Sequence, residues 1–99
     1  MNRLTELSPE IGKLTELEYL DIGNNSIEKL PTEIGLLINL KEIHLNNNKL
    51  SQLPSEFFNL KKLESIYLEG NRLTKTEIQK LKENFPHAFI HTDFTSENL

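Results

Sequence analysis

One pattern recurs at a single spacing, and it constrains the fold more than any other feature of the chain. Leu40, Ile43, Leu45, Asn48 and Leu50 fit the form L-x-x-L-x-L-x-x-N-x-L. Leu17, Leu20, Ile22, Asn25 and Ile27 make the same pattern 23 residues earlier, and Leu63, Ile66, Leu68, Asn71 and Leu73 make it 23 residues later. A fixed period in this range implies stacked units, each burying its apolar side against the next. The 99 residues suit one domain, and a stack of about three units gives so short a chain a continuous core.

Inside each unit the pairs Leu20/Ile22, Ile43/Leu45 and Ile66/Leu68 alternate with polar residues, the period of a half-buried strand. The Asn that follows is disfavoured in a strand but can donate to and accept from backbone, so Asn2, Asn25, Asn48 and Asn71 are expected to form a ladder that satisfies buried turn groups. Asn47, beside it, is expected to face solvent and to be dispensable. The next apolar residues, Leu30, Ile34, Leu37 and Leu40, then Leu53, Phe57, Leu60 and Leu63, are spaced by three or four, and Pro31 and Pro54 stand where a helical turn would open. Each unit therefore predicts a strand, an Asn turn and a short helical or 3₁₀ return.

These motifs resemble the leucine-rich repeat family in its typical 23-residue class, whose return arm reads Leu-Pro-x-Glu-Ile-Gly. Leu30 to Gly35 matches that arm, Leu53 to Phe58 departs at its last two positions, and Leu7 to Gly12 has its proline one place late. The resemblance covers about residues 2 to 91. It implies an α/β repeat: a curved solenoid with a concave parallel sheet, helical or 3₁₀ turns on the convex side, and proteins that act as binding scaffolds, some of which contact host proteins in pathogenic bacteria.

Along the chain, residues 1–16 form a partial repeat, strand-bearing repeats start near 17, 40 and 63, residues 74–91 form a C-terminal cap, and 92–99 form a loose tail. Thr74 to Glu77 has the form of a capping box, and Ile78, Leu81 and Phe85 make a helical stripe closed by Asn84 and Pro86. Phe89 is placed in the column of Ile66, Ile90 in the row of Tyr67, and His91 where Leu68 would recur. This tail also resembles the end of leucine-rich repeat proteins expanded in spirochaetes such as Leptospira. At the other end no strand precedes Asn2, so Leu4, Leu7, Ile11 and Leu14 line an uncapped cross-section. Either a longer protein continues there, or something else covers it; a homodimer closed about a two-fold axis and a monomer with a frayed first repeat are the two outcomes for this chain alone.

Strand residues that alternate with the core form rows across the concave face: Asp21, His44 and Tyr67 in the centre, Tyr19, Glu42 and Ser65 on one side, Gly23, Asn46 and Glu69 on the other. With three acids, no Lys or Arg, and aromatic residues at its middle, this face is expected to bind a protein partner with a basic patch. The plainer reading is a solvated sheet face that serves solubility, within a structural or oligomerising fragment of a larger protein. A net charge of −4 argues against nucleic acid. Asp21, His44 and Ser65 are the residue types of a hydrolase triad, with Asp21 and His44 near enough to bond, but no nucleophile elbow or Gly-rich oxyanion turn accompanies them, and no catalysis is expected. His87 and His91, on an extended segment, would sit about 13 Å apart, too far to share a metal, and no cofactor is expected. The chain has no cysteine, no apolar stretch of signal-peptide length after Met1 and no segment long enough to span a bilayer, so the compartment is left open.

Overall fold

The computed structural model describes residues 3–93, so the Asn2 and residue 94–99 expectations lie outside it. Four short strands, β1 (Tyr19–Asp21), β2 (Glu42–His44), β3 (Ser65–Tyr67) and β4 (Phe89–His91), form one parallel sheet in chain order. Between them the chain returns through 3₁₀ helices at Pro9–Lys13, Thr32–Leu36 and Ser55–Asn59, and finally through an α-helix, α1 (Lys75–Asn84). The result is a solenoid with the sheet on its concave side and the returns on its convex side. Among the described residues no helix is long and apolar enough to cross a membrane.

The core runs as a ribbon between the two sides. Ile43 and Ile66 from the strands, with Leu45 just after β2, meet Ile34, Leu37, Phe57 and Leu60 from the convex side, all without solvent exposure. Asparagine closes each unit. Asn48 Oδ1 accepts the Ile27 N–H at 3.0 Å, while its Nδ2 donates to the carbonyls of Ile22 (3.1 Å) and Leu45 (3.0 Å), so one amide links two repeats. Asn71 does the same with Leu50, Leu45 and Leu68. Asn25 accepts from Leu4 N–H and donates to Ile22 and Gly23.

Asn47 is exposed, as expected, but it does more than face solvent. It adopts φ 58°, as Asn24 (61°) and Gly70 (73°) do one repeat to either side. This left-handed column follows each strand, and Asn tolerates it where a residue with a larger Cβ cost would not. Asn47 Nδ2 also donates to Asn24 Oδ1 at 2.9 Å, a second asparagine contact outside the buried one.

The departures from the repeat have packing reasons. A Cβ on Gly35 would lie 2.6 Å from the Glu56 carbonyl oxygen, because 3₁₀ returns stack backbone on backbone. Phe58 occupies the equivalent place one repeat later, where the neighbour is α1 instead. Its ring stacks on Phe85 at 5.9 Å, and Phe57 meets both edge-on at about 6 Å. Thr74 Oγ1 caps α1 by accepting the Glu77 N–H. The reciprocal half of the expected capping box is absent: Glu77 instead accepts from Leu53 N–H and pairs with Lys80.

The α-helix lengthens the last unit by one residue. The step is 23 residues from β1 to β2 and from β2 to β3 but 24 from β3 to β4, pairing Ser65 with Phe89, Ile66 with Ile90 and Tyr67 with His91. This corrects the placement of the last strand. Ile90 takes the core column, Phe89 joins the outer row of Ser65, and His91 belongs to the centre row. His87 lies in a turn before the strand, not in it.

Candidate functional site

The parallel register sets what the concave face displays. Tyr19, Glu42, Ser65 and Phe89 share one row, and Asp21, His44, Tyr67 and His91 share the next. Extending the same register brings Gly23, Asn46, Glu69 and Asp93 together; backbone bonds from Asn24 N–H to Asn46 and from Asn47 N–H to Glu69 hold that row.

Strands about 4.8 Å apart bring equivalent rings into van der Waals contact. His44 stacks on Tyr67 with centroids 4.2 Å apart and planes 14° off parallel, and Tyr67 stacks on His91 at 4.1 Å and 5°. Tyr19 leans from its own row onto His44 at 5.2 Å, and Phe89 tilts toward His91 at 6.4 Å. A continuous column of rings therefore crosses all four strands. Its end members are open: Tyr19 is 52% and Phe89 72% exposed.

Four carboxylates flank the column: Asp21, Glu42, Glu69 and Asp93. Three are aimed by a bond to their own face. Asp21 Oδ1 accepts the Gly23 N–H at 3.0 Å, Glu42 Oε2 lies 2.6 Å from His44 Nε2, and Asp93 accepts the Gly70 N–H at 2.9 Å. Glu69 Oε1 is buried and has no hydrogen-bond partner. Among the described residues none of the four pairs with a lysine or arginine; the ion pairs those residues make, Lys13–Glu10, Lys41–Glu18 and Lys80–Glu77, all lie elsewhere. Desolvation, then the fields of Asp21 and Glu42, then Tyr67 push the Tyr19 phenol above its ordinary pKa.

The charge is segregated as a consequence. Counted over the whole chain, 15 acidic and 11 basic residues give −4. These rows hold four carboxylates and no lysine or arginine, so the eleven remaining acids balance the eleven basic residues. The concave rows are therefore acidic, with no lysine or arginine among them.

Sequence reasoning placed Tyr19, Asp21, Glu42, His44, Asn46, Ser65, Tyr67 and Glu69 on this face. It missed Phe89, His91 and Asp93, because the extra residue in the last unit shifts their register. The contact foreseen between Asp21 and His44 does not form: His44 is engaged by Glu42, and Asp21 by the Gly23 N–H. Ser65 has no hydrogen bond to His44. Among the described residues no three His, Asp or Glu side chains are gathered for a metal ion.

At the N-terminal end, β1 is the first strand of the sheet. Leu4 and Leu14 are each 51% exposed, and Leu7 and Ile11 pack only partly against the core.

A family model described as a leucine-rich repeat region matches residues 4–83. Among solved structures, a leucine-rich repeat protein of Leptospira interrogans superposes with a TM-score of 0.83 at 38% identity, covering 91% of this chain and 22% of that one. The chain thus spans about a fifth of that relative's length. No curated protein matches it.

Proposed function

Because the chain belongs to the leucine-rich repeat family, we propose that it is a protein-binding module whose recognition surface is the concave sheet and whose partner carries a basic patch. The observation that carries this reading is a face that holds four carboxylates and no lysine or arginine and is crossed by a column of stacked rings. Aromatic side chains supply large, rigid contact area, and they are enriched among residues that dominate binding. Complementary charge speeds encounter and excludes partners of the wrong sign. The reading assigns no catalytic turnover: His44 is committed to Glu42 and to its ring neighbours.

Affinity capture with the protein and with a His44→Ala, Tyr67→Ala variant tests the proposal, beside a convex-side control, Lys61→Ala, Lys62→Ala. The captured partner should be lost with the first variant and kept with the second. The opposite pattern would move the recognition surface to the returns.

A second association is supported by the exposed leucines of the N-terminal end. Two copies meeting there about a two-fold axis would cover Leu4, Leu7, Ile11 and Leu14 together with the edge of β1 that pairs with no strand among the described residues. Sedimentation of the protein beside a Leu7→Glu, Ile11→Glu variant checks this: the parent should dimerise and the variant should not. A parent that stays monomeric at high concentration, with residues 3–16 well protected from hydrogen exchange, would contradict it.

A further inference from the structure

The concave face is not uniformly acidic, and its layout narrows the partner's chemistry. Its carboxylates form two pairs at opposite corners. Asp21 and Glu42 flank Tyr19, the ring at the β1 end of the column, and both fields act on its phenol. Glu69 and Asp93 lie in the turns just after β3 and β4, two residues past Tyr67 and His91, which are stacked on each other. Each corner thus sets two carboxylates beside a ring of the column, Tyr19 at one and His91 at the other, and among the described residues no lysine or arginine neutralises them. A cation that both stacks on a ring and forks between carboxylate oxygens is a guanidinium; an ammonium is a more strongly hydrated point charge and does neither as well.

The spacing between corners selects the shape that carries those cations. The pair midpoints differ by two strand spacings of about 4.8 Å and by one and a half two-residue steps of about 6.7 Å, a diagonal of about 14 Å. In an extended segment, residues i and i+4 project from the same side about 13.6 Å apart. A helix places same-side residues about 10.5 Å apart at i+7 or about 16.5 Å at i+11, and puts i+9, the right distance, on the opposite side. Between the corners lie the edges of His44 and Tyr67, rigidly stacked, so a segment crossing them meets polar ring edges already ordered. Three of the four carboxylates are likewise aimed before any partner arrives, which lowers the ordering cost of binding.

We propose that the concave face binds an extended segment of a protein partner bearing two arginines four residues apart, one at the Asp21/Glu42 corner and one at the Glu69/Asp93 corner. The proposal rests on the concave-face reading and adds the identity and spacing of the cations.

Labelled synthetic peptides, otherwise neutral and unstructured, test it by fluorescence anisotropy, with amide chemical shifts of the protein reporting where each binds. Three are compared: Arg-x-x-x-Arg, Lys-x-x-x-Lys and Arg-x-x-Arg, whose arginines project from opposite sides. The first should bind about tenfold more tightly than either of the others, since two stacked, forked sites are lost or one is turned away. Glu69→Gln with Asp93→Asn, isosteric changes outside the core, should abolish the preference for Arg-x-x-x-Arg over Arg-x-x-Arg. Equal affinity of all three peptides, with shifts in residues 19–23, 42–46 and 65–69, would overturn the arginine spacing and leave the concave-face reading standing. Shifts outside those strands with every peptide would remove both.

Discussion

Asn47 and Asn48 carry the same side chain, and replacing it removes different things. Asn48→Ala leaves the Ile27 N–H without an acceptor and removes one of the two asparagine donors to each of the Ile22 and Leu45 carbonyls, which keep Asn25 and Asn71, all in the buried ribbon. At roughly 1–3 kcal/mol for the orphaned N–H and roughly 0.5–1.5 kcal/mol for each of the two bonds lost, the loss should exceed about 2 kcal/mol. Asn47→Ala removes no buried bond but forces Ala to φ 58°, and should cost about 1–2 kcal/mol; Asn47→Gly should recover most of that. Urea denaturation of the three variants separates the two effects. Equal losses for Asn47→Ala and Asn47→Gly would show that the left-handed backbone is not what position 47 requires. The buried role of Asn48 was legible in the sequence, since a polar residue at a fixed place in an apolar repeat has to satisfy something. The role of Asn47 was not, because exposure and backbone handedness leave different marks and only the first shows in a hydropathy pattern.

At the scale of elements, period two marked the core positions of β1 to β3, and period three to four marked the returns. The last unit misled because α1 replaces a 3₁₀ return and adds one residue before β4. In a strand one residue of shift exchanges the two faces, so Ile90 went into the core and His91 onto the ring column. Phe58 was the available signal. A large ring where the repeat demands glycine announces that the next return is not another tight 3₁₀ turn. The cap of α1 is half of a capping box, so Thr74→Ala should cost about 1 kcal/mol, as loss of a single N-cap does. Glu77 supports the preceding repeat as well as its own helix through Leu53 and Lys80. A Thr74→Ala variant that melts with the parent would mean that packing of Ile78, Leu81 and Phe85 alone holds the helix.

Over the whole molecule, cohesion and recognition come from the same stacking. Each repeat meets only its neighbours, so a defect in the middle has nowhere to be absorbed. Leu45 is fully buried in the central repeat, and Leu45→Ala should cost about 2–5 kcal/mol, a large part of the stability of a small domain. Thermal unfolding should show one lowered, cooperative transition; a melt within a degree or two of the parent would contradict the core register. The same repetition brings ring onto ring and carboxylate beside carboxylate on the concave side. Row membership was legible from the repeat. The ring stacking and the pairing of Glu42 with His44 were not, because they depend on side-chain rotation. With four carboxylates and no lysine or arginine there, binding of a basic partner should weaken as salt rises, chiefly through a slower association rate. The most direct test is the footprint of the captured partner, read residue by residue as amide hydrogen-exchange protection in the complex. Protection should concentrate in residues 19–23, 42–46, 65–69 and 89–93. Protection confined to the returns around Lys61 and Lys62, with those strands unchanged, would contradict the concave face as the recognition surface.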